Sequence, residues 1–192
     1  MRIIVNYQRW AIVAASFLVL LLAGPAVFAQ KTERISATAM GTMTQMGRVI
    51  SVDVSISGYS TADDLKVLLQ VFAEKGSEGV ANALHKMPSK GRIAITGTLG
   101  FDVNYFRSFP MPDGGRKIRF VTDRPITFGE SWSASRSMDY SLSMGEIIIS
   151  KKKGESKGTL YPAAKFKVDK EGHLEIETMQ NPWNLTNIKV WK

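Results

Sequence analysis

The chain has 192 residues, no cysteine and a formal charge of +8. That length suits one domain once a leader is removed, able to bury roughly two thirds of its unfolded surface without a disulfide or a metal. The missing thiols exclude a cysteine nucleophile, a thiolate metal site and lipid attachment through an N-terminal cysteine. The positive charge lacks the clustered basic face and reading motif that nucleic acid requires, so no nucleic-acid partner is expected.

Arg2 and Arg9 bracket a polar start, and Trp10 to Ala23 then runs without a charge. Gly24-Pro25 breaks a helix, and Val27-Phe28-Ala29 offers small residues where a signal peptidase reads. These features predict a signal peptide over 1–29, cut after Ala29, and an exported mature domain over 30–192, periplasmic or extracellular. The rival reading is a retained anchor, because Trp10 to Ala29 could nearly span a bilayer; the Gly-Pro break and small-residue exit favour removal, leaving no membrane span. Removing Arg2 and Arg9 lowers the formal charge to +6.

The mature chain opens with a weak strand from Arg34 to Met40, then a loop rich in Gly, Thr and Met from Gly41 to Gly47. Ile50, Val52, Val54 and Ile56 alternate with Val49, Ser51, Asp53, Ser55 and Ser57, the signature of a half-buried strand. A helical pair is expected over about 60–88. Thr61 or Ser60 caps the first helix, Asp63 and Asp64 suit its positive end, and Leu65, Leu68, Leu69 and Phe72 form one apolar stripe. Gly76 ends it. Ser77 can cap a shorter second helix bearing Val80, Leu84 and Met87, which Pro88 stops.

Gly91 to Ile149 then reads as strand after strand. Ile93, Ile95 and Leu99 alternate with Arg92, Thr96 and Thr98; Phe101, Val103 and Tyr105 alternate with Asp102, Asn104 and Phe106. Pro112-Asp113-Gly114 forms a turn. Ile118, Phe120 and Thr122 follow, Pro125 interrupts, Ile126 and Phe128 resume, and the serine-rich Ser131 to Ser137 reads as a loop. Tyr140, Leu142, Met144 and Ile147 to Ile149 continue the sheet. A hairpin pairs Ala164, Phe166 and Val168 with Leu174 and Ile176 around Lys170-Glu171-Gly172. Ile188 and Val190, alternating with Lys189 and Trp191, close the chain. The expected fold is α+β: a predominantly antiparallel sheet, as a curled sheet, sandwich or partly closed barrel, with a two-helix insertion packed on it.

Chemistry is harder to find. His85 and His173 are the only histidines. Two histidines without a third ligand at metal spacing make no zinc site, and no serine sits in a Gly-x-Ser-x-Gly elbow, so neither a catalytic residue, a metal nor a cofactor is assigned. Asp102, Asp123, Glu130 and Asp139 lie in or near the central sheet, and two of them converging could act as acid and base on a glycan. The plainer reading places Asp123 and Arg124 in a turn and leaves Glu130 and Asp139 to loop backbone or solvent. Tyr105, Phe120, Phe128, Trp132 and Tyr140 could line a pocket for an apolar ligand if the sheet curls; aromatics also fill ordinary cores. Phe106 and Phe109 fall outside the clean alternation and suggest a lip or contact surface. Lys151, Lys152, Lys153, Lys157, Lys165, Lys167 and Lys170 could present a positive ribbon to anionic groups, or simply protect a sheet edge.

Tyr59-Ser60-Thr61 leading into the Leu65 to Phe72 helix, and Thr122-Asp123-Arg124-Pro125 followed by Phe128 and Glu130, resemble uncharacterised exported bacterial proteins of unknown function. The resemblance implies an exported bacterial domain and brings no activity, cofactor or catalytic residue. The function expected is a non-catalytic binding or structural protein of the bacterial envelope. A carrier of a small apolar ligand inside the curled sheet is the alternative, followed by a carboxylate-dependent glycan-acting enzyme. The partner is therefore either an anionic envelope component or a small apolar ligand.

Overall fold

Val52, Val54 and Ile56 all point inward from one strand and are almost fully buried, as their alternation with Ser51, Asp53 and Ser55 requires. The computed structural model describes residues 32–126 and 139–191; the expected leader and Phe128, Glu130 and Trp132 lie outside the described residues. The strands are β1 (Glu33–Met40), β2 (Val49–Ile56), β3 (Gly91–Ile95), β4 (Phe101–Val103), β5 (Tyr105–Pro110), β6 (Arg116–Val121), β7 (Leu142–Ile149), β8 (Lys157–Val168), β9 (Leu174–Thr178) and β10 (Trp183–Trp191). They form one antiparallel sheet in the order β4-β3-β2-β1-β10-β8-β7-β6-β5, with β9 paired to β8 off that path.

The two ends of that path, β4 and β5, are separated in the chain by Asn104 alone. The sheet therefore curls until its edges meet at one bend, a nearly closed barrel. Asn104 is buried there and donates its side-chain amide to the carbonyl of Met87 at 3.0 Å. Ser60 covers the free edge of β5: its amide donates to the Phe106 carbonyl at 2.7 Å, and its hydroxyl accepts the Phe106 amide at 3.2 Å.

The barrel is filled by its own side chains. Ile35, Ile93, Phe106, Ile118, Phe120, Ile147, Leu160, Trp183 and Leu185 form its interior cluster with smaller residues such as Ala37 and Ala39. The rings of Phe106 and Phe120 meet with centroids 5.7 Å apart. Each such aromatic taken fully out of water contributes about 2–3 kcal/mol before entropy is counted. One end is plugged by the 3-10 turn Met43–Gln45, where buried Gln45 donates to Gln180 at 2.8 Å. At the opposite end Arg116 pairs with Glu33 across the mouth, and Tyr59 donates to the same carboxylate at 3.1 Å. Burial lowers the affinity of Arg116 for its proton and raises the Tyr59 phenol above its ordinary value.

Among the described residues, one helical element, α1 (Ala62–Lys86), lies outside the barrel. Thr61 and Asp64 form a reciprocal capping box, with bonds of 3.1 and 2.7 Å. The expected pair of helices is corrected to this one element. Gly76 (φ 62°, ψ −157°) is itself non-helical and kinks the element, with a helical stretch on either side of it. Ser77, expected to cap a second helix, instead accepts the backbone N–H of Phe166 from β8 at 3.0 Å. Leu68, Val80, Ala81 and Leu84 pack against Tyr105, Leu142, Met144 and Ala164, forming a second, smaller core.

Candidate binding face

Residues that alternate with the barrel interior on β10, β1, β2 and β3 form the outer face of the sheet. Register places them in two rows. Trp191 stands opposite Arg34, Arg34 opposite Ser55, Ser55 opposite Arg92, and Arg92 opposite Asp102 on β4. Behind it, Lys189 faces Ser36, Ser36 faces Asp53, and Asp53 faces Ala94. Thr98 and Leu99, in the turn between β3 and β4, raise a wall beside the rows. The result is an open concavity of about 710 Å³ bordered by Arg34, Ser36, Asp53, Ser55, Arg92 and Trp191. Its volume falls within the range of small-ligand sites.

This face mixes polar side chains with apolar surface from Ala94, the exposed Leu99 and one large aromatic, Trp191. Trp191 is 59% exposed, and its indole N–H donates to the Ser36 hydroxyl at 3.2 Å. That bond satisfies the ring's single donor and fixes its direction. Arg92 pairs with Asp102 at 3.2 Å, and Asp53 accepts the Thr96 hydroxyl at 2.7 Å. Arg34, exposed between Trp191 and Ser55, makes no hydrogen bond or ion pair within the described residues. Its guanidinium keeps a full set of donors for a ligand.

Of the aromatics proposed from sequence, the three within the described residues, Tyr105, Phe120 and Tyr140, do not share a surface. Tyr105 packs under α1 in the smaller core, whereas Phe120 sits in the barrel interior. Tyr140 lies elsewhere again: its hydroxyl donates to Glu177 at 3.0 Å, and the Lys165 ammonium stands 4.8 Å from its ring centre. Phe106, expected at a lip, is fully buried within the barrel. The alternation changes parity at the Asn104 bend, so Val103 and Phe106 both point inward while Tyr105 turns to the helix.

The proposed carboxylates within the described residues, Asp102, Asp123 and Asp139, do not share a site. Asp102 holds Arg92, while Asp123 accepts two 2.8 Å bonds from Arg124 and one 2.7 Å contact from His85. Bonding to Arg124, then to His85, holds the Asp123 carboxyl below the usual carboxylate range, and Asp123 in turn raises Arg124. Asp139 is exposed. Asp169, Glu171 and His173 gather at the β8–β9 turn, where Asp169 accepts the backbone N–H groups of Glu171 and His173 at 2.9 and 2.7 Å. That bonding explains the grouping as turn structure.

A second concave feature lies between α1 and the sheet. Leu65, Leu68, Leu69, Phe72, Phe166 and Leu174 border an apolar cleft of about 140 Å³. Phe72 and Phe166 meet edge to face across it, 5.8 Å between centroids.

No protein-family model, curated protein or solved structure matches this chain. Among the described residues no helix is long and apolar enough to cross a membrane. The outer face was not found by sequence reasoning, although one signal was present. Trp191 falls on the polar side of its strand, in step with Lys189, where burial cannot account for an aromatic. The partner it meets, Arg34, lies at the other end of the described chain and is brought beside it by the pairing of β1 with β10.

Proposed function

We propose that this chain is an exported, non-catalytic binding protein of the bacterial envelope that holds an anionic envelope component on the outer face of β10, β1, β2 and β3. The observation that carries this reading is the unpaired Arg34 side chain beside the exposed Trp191 in a concave surface. The formal charge, +8 for the full chain and +6 without Arg2 and Arg9, supports attraction of an anionic partner, with an affinity that falls as salt rises. The charged and uncharged leader segments before Gln30 support export.

The test is expression of the full-length chain in a bacterium, with recovery of a processed form from periplasm or medium. That material is then sedimented with isolated cell envelopes at increasing salt. Co-sedimentation at low salt, released by salt and weakened by Arg34→Ala, is the expected result. Retention of the chain in the cytosol would defeat the export reading, and absence of salt-sensitive binding would defeat the anionic-partner reading.

The carrier reading draws on a different observation, the apolar cleft beneath α1. The barrel interior is packed with Trp183, Phe106 and Phe120, so a small apolar ligand would enter between the helix and the β8–β9 hairpin. Leu69→Asp at the half-exposed rim should then abolish binding of a benzene-sized apolar probe while leaving the melting temperature unchanged.

A further inference from the structure

We propose that the ligand of the outer face is a carboxylated saccharide, a uronic-acid type of glycan, with its carboxylate on Arg34 and a sugar ring on Trp191. This inference rests on the anionic-partner reading above and names the chemical class. Arg34 and Trp191 are direct cross-strand neighbours, so their side chains emerge side by side on one face. A planar guanidinium with unused donors matches a carboxylate in two-point geometry. The other arginines with carboxylate neighbours are already engaged: Arg92 by Asp102, Arg116 by Glu33, Arg119 by Glu146 and Arg124 by Asp123.

Trp191 supplies what a bare anion would not use. Its ring is more than half exposed while its N–H is satisfied by Ser36, which leaves the apolar face as the available surface. An indole held in one direction loses little side-chain entropy when a sugar's C–H face packs on it. Ser55 in the first row and Ser36 and Asp53 in the second add a mixture of hydroxyl donors and acceptors suited to sugar hydroxyls. Asp53 also discriminates: its negative charge opposes a doubly charged phosphate on the same face more than a singly charged carboxylate, and it accepts from a neutral hydroxyl. A single-stranded nucleic acid could stack on Trp191 as well. It would need a succession of aromatic platforms along a basic groove, and this face holds one aromatic and two carboxylates, Asp53 and Asp102.

The experiment is calorimetric titration of the purified full chain, as processed by its host, with tri-galacturonate at low salt. Maltotriose, tripolyphosphate and a short oligothymidylate are the comparison ligands. Tri-galacturonate should bind more tightly than the other three, and Trp191→Ala and Arg34→Ala should each weaken it at least tenfold. Both side chains are exposed, so circular dichroism and melting temperature should not change. Trp191→Phe should recover part of the affinity. Tripolyphosphate or oligothymidylate binding tighter than the uronate, or an unchanged affinity in Trp191→Ala, would overturn the saccharide assignment while leaving an anionic partner in place. If none of the anions binds, the broader reading falls with it.

Discussion

Phe120 and Gly145 face each other across β6 and β7, and the ring occupies the space a side chain at 145 would need. A methyl group on residue 145 would stand 2.2 Å from Phe120 Cζ and 2.3 Å from Cε1. Phe120 is itself locked among Phe106 and the aliphatic residues of the barrel, so it has nowhere to retreat. Gly145→Ala should therefore cost about 1–3 kcal/mol by overpacking, read from the midpoint of urea unfolding. Phe120→Leu in the same chain should recover part of the loss, because the two positions share one space. Additive costs in that double variant would show that the ring and the glycine are not coupled.

Gly76 makes the reverse point, since nothing lies within 4 Å of the position a β-carbon would take there. Its backbone, at φ 62° and ψ −157°, is a region open to glycine and closed to other residues. Gly76→Ala should destabilise by about 1–3 kcal/mol although it adds an atom only to open space. A neutral or stabilising result would mean that α1 can straighten through this residue. In that case protection of the Phe166 amide, which donates to Ser77 just beyond the kink, should be lost in hydrogen exchange.

Much of the sheet could be read from the chain, because period-two alternation survives wherever a strand is straight. Val52, Val54 and Ile56 against Ser51, Asp53 and Ser55 show one buried face without any knowledge of neighbours. The reading fails where the period breaks. At Asn104 one bend reverses parity, exchanging Tyr105 and Phe106 between the two sides of the sheet. A register shift between Leu142 and Met144 likewise leaves Ser143 buried. Gly76 carries the composition of a helix end and does leave the helical conformation, but the chain resumes its helix at once, so the element runs on through a kink. The binding face was hidden for a different reason. Arg34 and Trp191 look ordinary alone, and their meeting depends on the first strand pairing with the last, β1 with β10.

Ser143 shows how the bulge is held. Its hydroxyl accepts the Ile126 N–H at 2.6 Å and lies within bonding reach of the carbonyls of Pro162 and Arg124. Thr122 joins the group by accepting the Ser143 N–H at 3.0 Å. Ser143→Ala removes the hydroxyl from a site with no access to water, though the Ile126 N–H keeps the Pro162 carbonyl at 2.8 Å. The expected cost is about 1–2 kcal/mol, with faster amide exchange concentrated in the Asp123 to Ile126 turn. Equal exchange throughout the domain would point to global loosening instead.

The turn carrying Asp123 also gives the protein a defined response to acid. The Asp123 carboxylate is 4% exposed and is gripped by Arg124 on its own turn and by His85 in the last turn of α1. Arg124 first, then His85, holds its folded pKa below the ordinary 3.8. The unfolded chain therefore binds this proton more readily, so the sign is settled: the stabilisation is complete above pH 3.8 and is lost as pH falls through the lowered folded value. Asp123→Asn should be less stable than the native chain by a constant margin at neutral and mildly acidic pH. That margin should narrow below the ordinary carboxylate value, because the native chain then loses what the variant never had. Glu146, Asp64, Glu177 and Asp169 also have lowered pKa values and contribute equally to both chains, so the difference between the two isolates Asp123. Urea unfolding of the pair at steps from pH 6 down to the acid limit provides the measurement. A margin that stays the same across the whole range would place the acid sensitivity at those other carboxylates.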